Sequence, residues 1–93
     1  MTARRIRVSG RVQGVGFRAF VWREALALAV NGWVRNRTDG TVEAVIAADD
    51  ATLDRLLDRI RQGPRWSRVD RIEQTPEASP VPAGSGFEIR SDR

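Results

Sequence analysis

The chain contains no cysteine, histidine, lysine or tyrosine, and each absence removes a chemistry. Without cysteine there is neither disulfide nor thiolate nucleophile, a composition that suits a reducing compartment. Without histidine there is no imidazole acid or base, no Ser-His couple and no histidine-held zinc; without lysine there is no Schiff base. The opening residues, Met1 to Arg7, are too polar for a signal peptide. No run approaches the ~18 consecutive apolar residues of a membrane span. A soluble, cytoplasmic protein with no membrane partner is therefore expected. Any site must be built from carboxylates, hydroxyls, amides and arginine, and no metal and no cofactor are expected.

All 16 basic residues are arginine, set against 12 acidic ones for a net charge of +4. The arginines are scattered along the chain and interleaved with acids, so a dedicated nucleic-acid surface is not expected. At 93 residues the chain makes a single domain over residues 1–93, able to bury ~60–65% of its unfolded surface.

The densest signal is Gly10-Arg11-Val12-Gln13-Gly14-Val15-Gly16-Phe17-Arg18. Three glycines in this stretch let the backbone curl where a Cβ would clash, so that successive N–H groups face one concavity suited to an anion. A helix starting near Phe17 adds its open N–H groups and dipole, and Arg18 adds a forked donor. The glycines alone suit a plain strand-to-helix turn equally well. Their spacing, G-x-x-x-G-x-G, is neither the dinucleotide pattern nor the lysine-requiring phosphate loop.

Around this stretch the apolar spacing predicts the elements. Ile6, Val8, Gly10 and Val12 alternate along a first strand, Arg4 to Val12. Phe17, Val21, Ala25 and Leu28 mark a helix that runs to Asn31-Gly32, with Trp22 on its flank. Trp33 to Arg37 and Thr41 to Ala47 read as a hairpin across Thr38-Asp39-Gly40, with Val34 and Asn36 sharing a face. Asp49-Asp50 opens a second helix striped by Leu53, Leu56, Leu57 and Ile60 and closed by Gly63-Pro64. In the strand Ser67 to Gln74, the three-residue step from Val69 to Ile72 predicts a bulge or a change of facing. Pro76 to Gly86 reads as a solvated loop before a short strand, Phe87 to Ile89. This order is that of an α+β, ferredoxin-like split β-α-β sandwich: an antiparallel sheet of four to five strands with two helices on one face.

The chain resembles the acylphosphatase family, whose signature reads G-x-V-Q-G-V-x-F-R. Gly10, Val12, Gln13, Gly14, Val15, Phe17 and Arg18 match it, and Gly32 to Asn36, Gly40 to Glu43 and Gly86 to Ile89 are similar to further family segments. The resemblance implies hydrolysis of a small-molecule acyl phosphate to a carboxylate and inorganic phosphate, the latter also a competitive inhibitor. It implies that Arg18 and Asn36 are catalytic, Arg18 binding the phosphoryl group and Asn36 positioning the attacking water. The phosphate-binding loop would comprise Arg11, Val12, Gln13, Gly14, Val15 and Gly16. For Arg11 and Gln13 the main-chain N–H groups are expected to matter more than the side chains. Read alone, Asn36 is better explained as a turn-forming residue ahead of Asp39-Gly40.

The sparse toolkit fits such a reaction. Phosphoryl transfer through a loose transition state needs positioning and charge stabilisation more than a strong base. A carboxylate leaving group, with a conjugate acid of pKa ~4, departs unprotonated. Three positions depart from the family pattern: Ala29 and Ala48 stand where glycines are usual, and Arg37 where some members have a threonine beside the asparagine. A monomer is expected. The alternative is an anion- or RNA-binding module of the same layout without turnover, although the first strand offers Arg5, Arg7 and Ser9 and no ring for stacking.

Overall fold

The structure, a computed structural model, describes residues 2–93. Its elements are β1 (Thr2–Arg11), α1 (Phe17–Ala27), β2 (Asn31–Asn36), β3 (Val42–Ala48), α2 (Asp50–Gln62), β4 (Arg68–Pro76) and β5 (Phe87–Ile89). The strands form one sheet in the order β4-β1-β3-β2-β5. β1 to β4 pair antiparallel, but β5 lies parallel to β2, with Phe87 opposite Gly32. The sheet is therefore mixed, not wholly antiparallel. A tight hairpin forces antiparallel pairing, whereas the long segment 77–86 carries the chain from the β4 edge to the far edge and leaves the direction of return free.

β3 is buried along its whole length, as the middle strand of five must be. Its Val42, Ala44 and Ile46 join Ile6, Val8 and Val34 on one face of the sheet. They pack there with Phe17, Val21 and Ala25 of α1 and Leu53, Leu56, Leu57 and Ile60 of α2. The result is a ferredoxin-like two-layer fold with both helices on one side. Among the described residues no helix is long and apolar enough to cross a membrane.

Local chemistry fixes the boundaries. Asp49 caps α2 by accepting from the Thr52 N–H at 2.8 Å, an interaction worth about 1 kcal/mol. The expected bulge is present on β4: Ser9 faces Arg71 and Gly10 faces Val69, which leaves Asp70 as the extra residue. Pro76 completes β4 instead of opening the loop.

Helix α1 stops well before the Asn31-Gly32 that the spacing suggested. Ala29 turns the chain with φ 56°, and the N–H groups of Ala29 and Val30 donate to the carbonyls of Leu26 and Ala25, each at 3.1 Å. Asn31 and Gly32 are then free to begin β2. A left-handed alanine costs about 1 kcal/mol that glycine avoids. Ala48, the other departure, sits buried at the end of β3 with no such demand.

On the face away from the helices, the surprise is Glu43. It is 1% exposed and accepts hydrogen-bonded ion pairs from Arg5 at 2.7 Å, Arg35 at 2.8 Å and Arg37 at 3.2 Å. Arg5 reaches on to Glu77 at 2.8 Å. Arg35 and Arg90 lie against the Trp33 ring, 4.7 and 4.6 Å from its centroid. Burial pushes the Glu43 carboxyl up, but donors from Arg5, Arg35 and Arg37 outweigh it and hold the group below its ordinary value.

Two outcomes follow from these features. Ala29→Gly raises stability by about 1 kcal/mol, a melting-temperature gain of about 4–8 °C for a domain of this size, measured by thermal unfolding. Glu43 has a folded pKa depressed below its unfolded one, so its contribution is present above the ordinary glutamate range and lost as pH falls through the folded value. Glu43→Gln leaves three guanidiniums facing one another and costs about 3–5 kcal/mol at neutral pH. Urea unfolding of both proteins across the acid range checks this, the variant losing less stability than the wild type as the pH drops.

Candidate active site

The site begins with a register. Val8 of β1 and Asn36 of β2 both stand opposite Val42 of β3, so the three form one row across the sheet on its helix-facing side. Val8 and Val42 are buried apolar residues. A carboxamide in the third place of that row is the exception that calls for a reason. β1 and β2 run the same way, and two strand spacings put their ends about 10 Å apart.

Past this row β1 continues beside β4 to Arg11, and residues 12–16 carry the chain over to α1. Gly14 and Gly16 take φ of 75° and 74°, left-handed values that a side chain would strain. Gly16 caps α1 with no side-chain hydrogen bond. The main-chain N–H groups of residues 13–18 donate to no protein acceptor among the described residues. A helix start and a glycine loop thus hold their donors open together.

A cleft of about 290 Å³ lies here, lined by Val12, Gln13, Gly14, Gly16, Arg18 and Asn36, with Phe17, Ala19 and Ile89 completing the wall. Of the residues the sequence pointed to, Arg11 and Val15 do not line it. Arg11 is the last residue of β1, exposed and opposite Arg68. Val15 turns its side chain to the core and contributes to the loop through its main chain only. Arg35 and Arg37 are both engaged by Glu43 on the opposite face, which leaves them no steering role in the cleft.

Arg18 extends one guanidinium nitrogen to the Arg90 carbonyl at 3.2 Å and to the Asp92 carboxylate. The tail that supplies these groups runs on from β5 beside β2. Its Arg90 N–H donates to the Val34 carbonyl at 2.8 Å and its Arg93 N–H to the Asn36 carbonyl at 2.9 Å. The Arg18–Asp92 pair is largely exposed, with 63% of the Asp92 side chain in solvent. Such a pair is worth no more than about 1 kcal/mol, so a more highly charged oxyanion exchanges for the carboxylate at little cost. Asn36 Oδ1 is buried with no hydrogen-bond partner. Among the described residues no three acidic side chains gather as metal ligands would.

The Gln13 side chain departs from expectation. Its amide nitrogen donates to the carbonyls of Arg37 at 2.8 Å and Thr41 at 2.9 Å, tying the loop to the turn between β2 and β3. Neither this link nor the tail over Arg18 has a signal in the sequence. Ile89 was within reach, because alternation along β5 puts it on the same face as the buried Phe87.

Open amides, one guanidinium and one carboxamide in a two-layer α+β fold define, as a class, a small anion-handling domain. Comparison with known proteins narrows this. The acylphosphatase family model matches residues 4–89, and the chain belongs to the acylphosphatase family. It is 49% identical over 85 residues to an acylphosphatase of Moorella thermoacetica, covering 90% of this chain and 88% of that one. To an acylphosphatase of Nitrobacter winogradskyi it is 49% identical over 76 residues, covering 82% and 77%. The crystal structure of acylphosphatase from Bacillus subtilis superimposes with a TM-score of 0.89 at 39% identity, over 97% of this chain and 99% of that one. The protein is an acylphosphatase, a hydrolase of the carboxyl-phosphate anhydride, and the alternative of a binding module without turnover is not favoured.

Proposed function

We propose that the loop of residues 12–16, the start of α1 and Arg18 hold the phosphoryl group of a small acyl phosphate while Asn36 places the attacking water. The observation that carries this reading is Asn36 Oδ1, buried and without a partner in the cleft that Arg18 also lines. A buried carbonyl oxygen left open costs about 1–3 kcal/mol, a cost that a water donating to it would remove. The same amide can donate from its nitrogen, so it orients a water without taking its proton.

The chemistry asks for nothing more. Loop amides and the guanidinium stabilise charge on the equatorial oxygens as the anhydride bond lengthens. The carboxylate leaves as an anion and needs no proton donor. The water loses its proton late, to solvent or to the departing phosphate. Inorganic phosphate satisfies the same donors after release and competes with substrate. The cysteine-free composition is compatible with a cytoplasmic setting.

Hydrolysis of an aromatic acyl phosphate, followed by absorbance with phosphate as inhibitor, tests the assignment. Arg18→Ala nearly abolishes turnover and weakens phosphate inhibition, because its forked donors of about 1.5–3 kcal/mol each are lost. Asn36→Ala keeps the phosphate inhibition constant but lowers kcat by ~10² or more. An Asn36→Ala enzyme that binds phosphate poorly yet turns over at the normal kcat would show that Asn36 binds the anion and does not place the water.

A further inference from the structure

Asn36 must be held with its amide aimed into the cleft, yet no side-chain hydrogen bond holds it among the described residues. The neighbour best placed to help, Arg37, turns instead to Glu43 on the other face of the sheet. The position of Asn36 therefore depends on its main chain, at the last rung of the β2–β3 ladder opposite Val42. Beyond that rung the turn is closed by the Arg37 N–H on the Thr41 carbonyl at 2.8 Å. Gln13 reaches in from the phosphate loop and donates to the Arg37 carbonyl at 2.8 Å and to the same Thr41 carbonyl at 2.9 Å.

We propose that the Gln13 side chain is a positioning residue that sets the distance between the phosphate loop and Asn36. Both hydrogens of its amide nitrogen are used, one at each end of the turn between β2 and β3, so it fixes the loop against the hairpin's end in two directions. One of its acceptors belongs to the residue that directly follows Asn36. Among the described residues it makes the side-chain hydrogen bonds from residues 12–16 to the β2–β3 hairpin. The phosphate is referenced to the loop and the water to Asn36, so Gln13 spans the line along which water must approach phosphorus. Misplacing a reacting group by about 1 Å costs up to about 10²-fold in rate.

The inference rests on the water-placing role of Asn36, and the experiment separates the two. Methionine matches glutamine in length but donates nothing. Gln13→Met is expected to lower kcat about tenfold while the KM for an aromatic acyl phosphate and the inhibition constant of inorganic phosphate stay within about twofold. In an Asn36→Ala background the same change costs less than about twofold, since the group it positions is already gone. Multiplying losses in the double variant, or an unchanged kcat in Gln13→Met, overturn the inference and leave the Asn36 reading intact. A normal kcat in Asn36→Ala alone overturns both. Parallel loss of kcat and phosphate inhibition in Gln13→Met also overturns it, because the side chain would then be holding the loop's anion site itself. Should Gln13→Met fail to fold, Gln13→Asn, whose amide falls short of both carbonyls, supports the same comparison with the same outcomes.

Discussion

The molecule depends on one topological constraint: β1 and β2 run parallel with β3 between them, so the chain leaves β1 and finishes β2 at the same end of the sheet. A right-handed passage through α1 is what makes that arrangement reachable. It brings a loop encoded at residues 12–16 within a few ångströms of the Arg37 carbonyl, at 2.8 Å through Gln13. Residues far apart in sequence then share a cleft with no long loop to position either. The helix that makes the crossover also begins at the cleft, so one element supplies both the connection and the open donors at its first turn.

The arginines divide by face. On the side away from the helices, Arg5, Arg35 and Arg37 saturate Glu43, and Arg35 and Arg90 flank Trp33. Those guanidiniums are structural and have little left to offer a ligand. In the cleft a single guanidinium, Arg18, meets only an exposed carboxylate and a carbonyl. The difference is one of desolvation: an ion pair on a buried carboxylate is costly to open, whereas an exposed pair is exchanged readily. A net charge of +4 therefore gives no guide to where an anion binds. What matters is which arginine can release its partner.

Much of this was legible in the residues. Alternation gave the two faces of β1, β2 and β3, the helical stripes gave both helices, and the uneven step from Val69 to Ile72 gave the bulge at Asp70. The end of α1 was not legible because alanine seldom takes the left-handed turn that Ala29 takes, and the next glycine, Gly32, is the more usual stop signal. The direction of β5 was not legible, since a connection of this length carries no local rule for the strand that follows it. Glu43 carries no signal of its own in the sequence; its weight comes from three arginines that only the fold gathers. The family resemblance pointed to Arg18 and Asn36, which line one cleft, while the link made by the Gln13 side chain had no signal, because its partners are carbonyls and every residue has one.

A site of this kind works against the stability of the domain that carries it. A buried Asn36 Oδ1 without a partner is a group that folding takes from water without full return, and the main-chain donors at residues 13–18 are left without a protein acceptor among the described residues. Against a total stability of about 5–15 kcal/mol, even two such groups matter, and the rest of the molecule has to hold the loop in place regardless. β3 is buried throughout, α2 is capped at both ends, and Glu43 binds strands β1, β2 and β3 together from the far face. An anion that binds only the folded form returns what the open donors cost, in proportion to RT ln(1 + [L]/Kd). In the proposed site the deficit in the free domain and the affinity for phosphate have one physical origin, so closing those donors to gain stability would remove the binding with it.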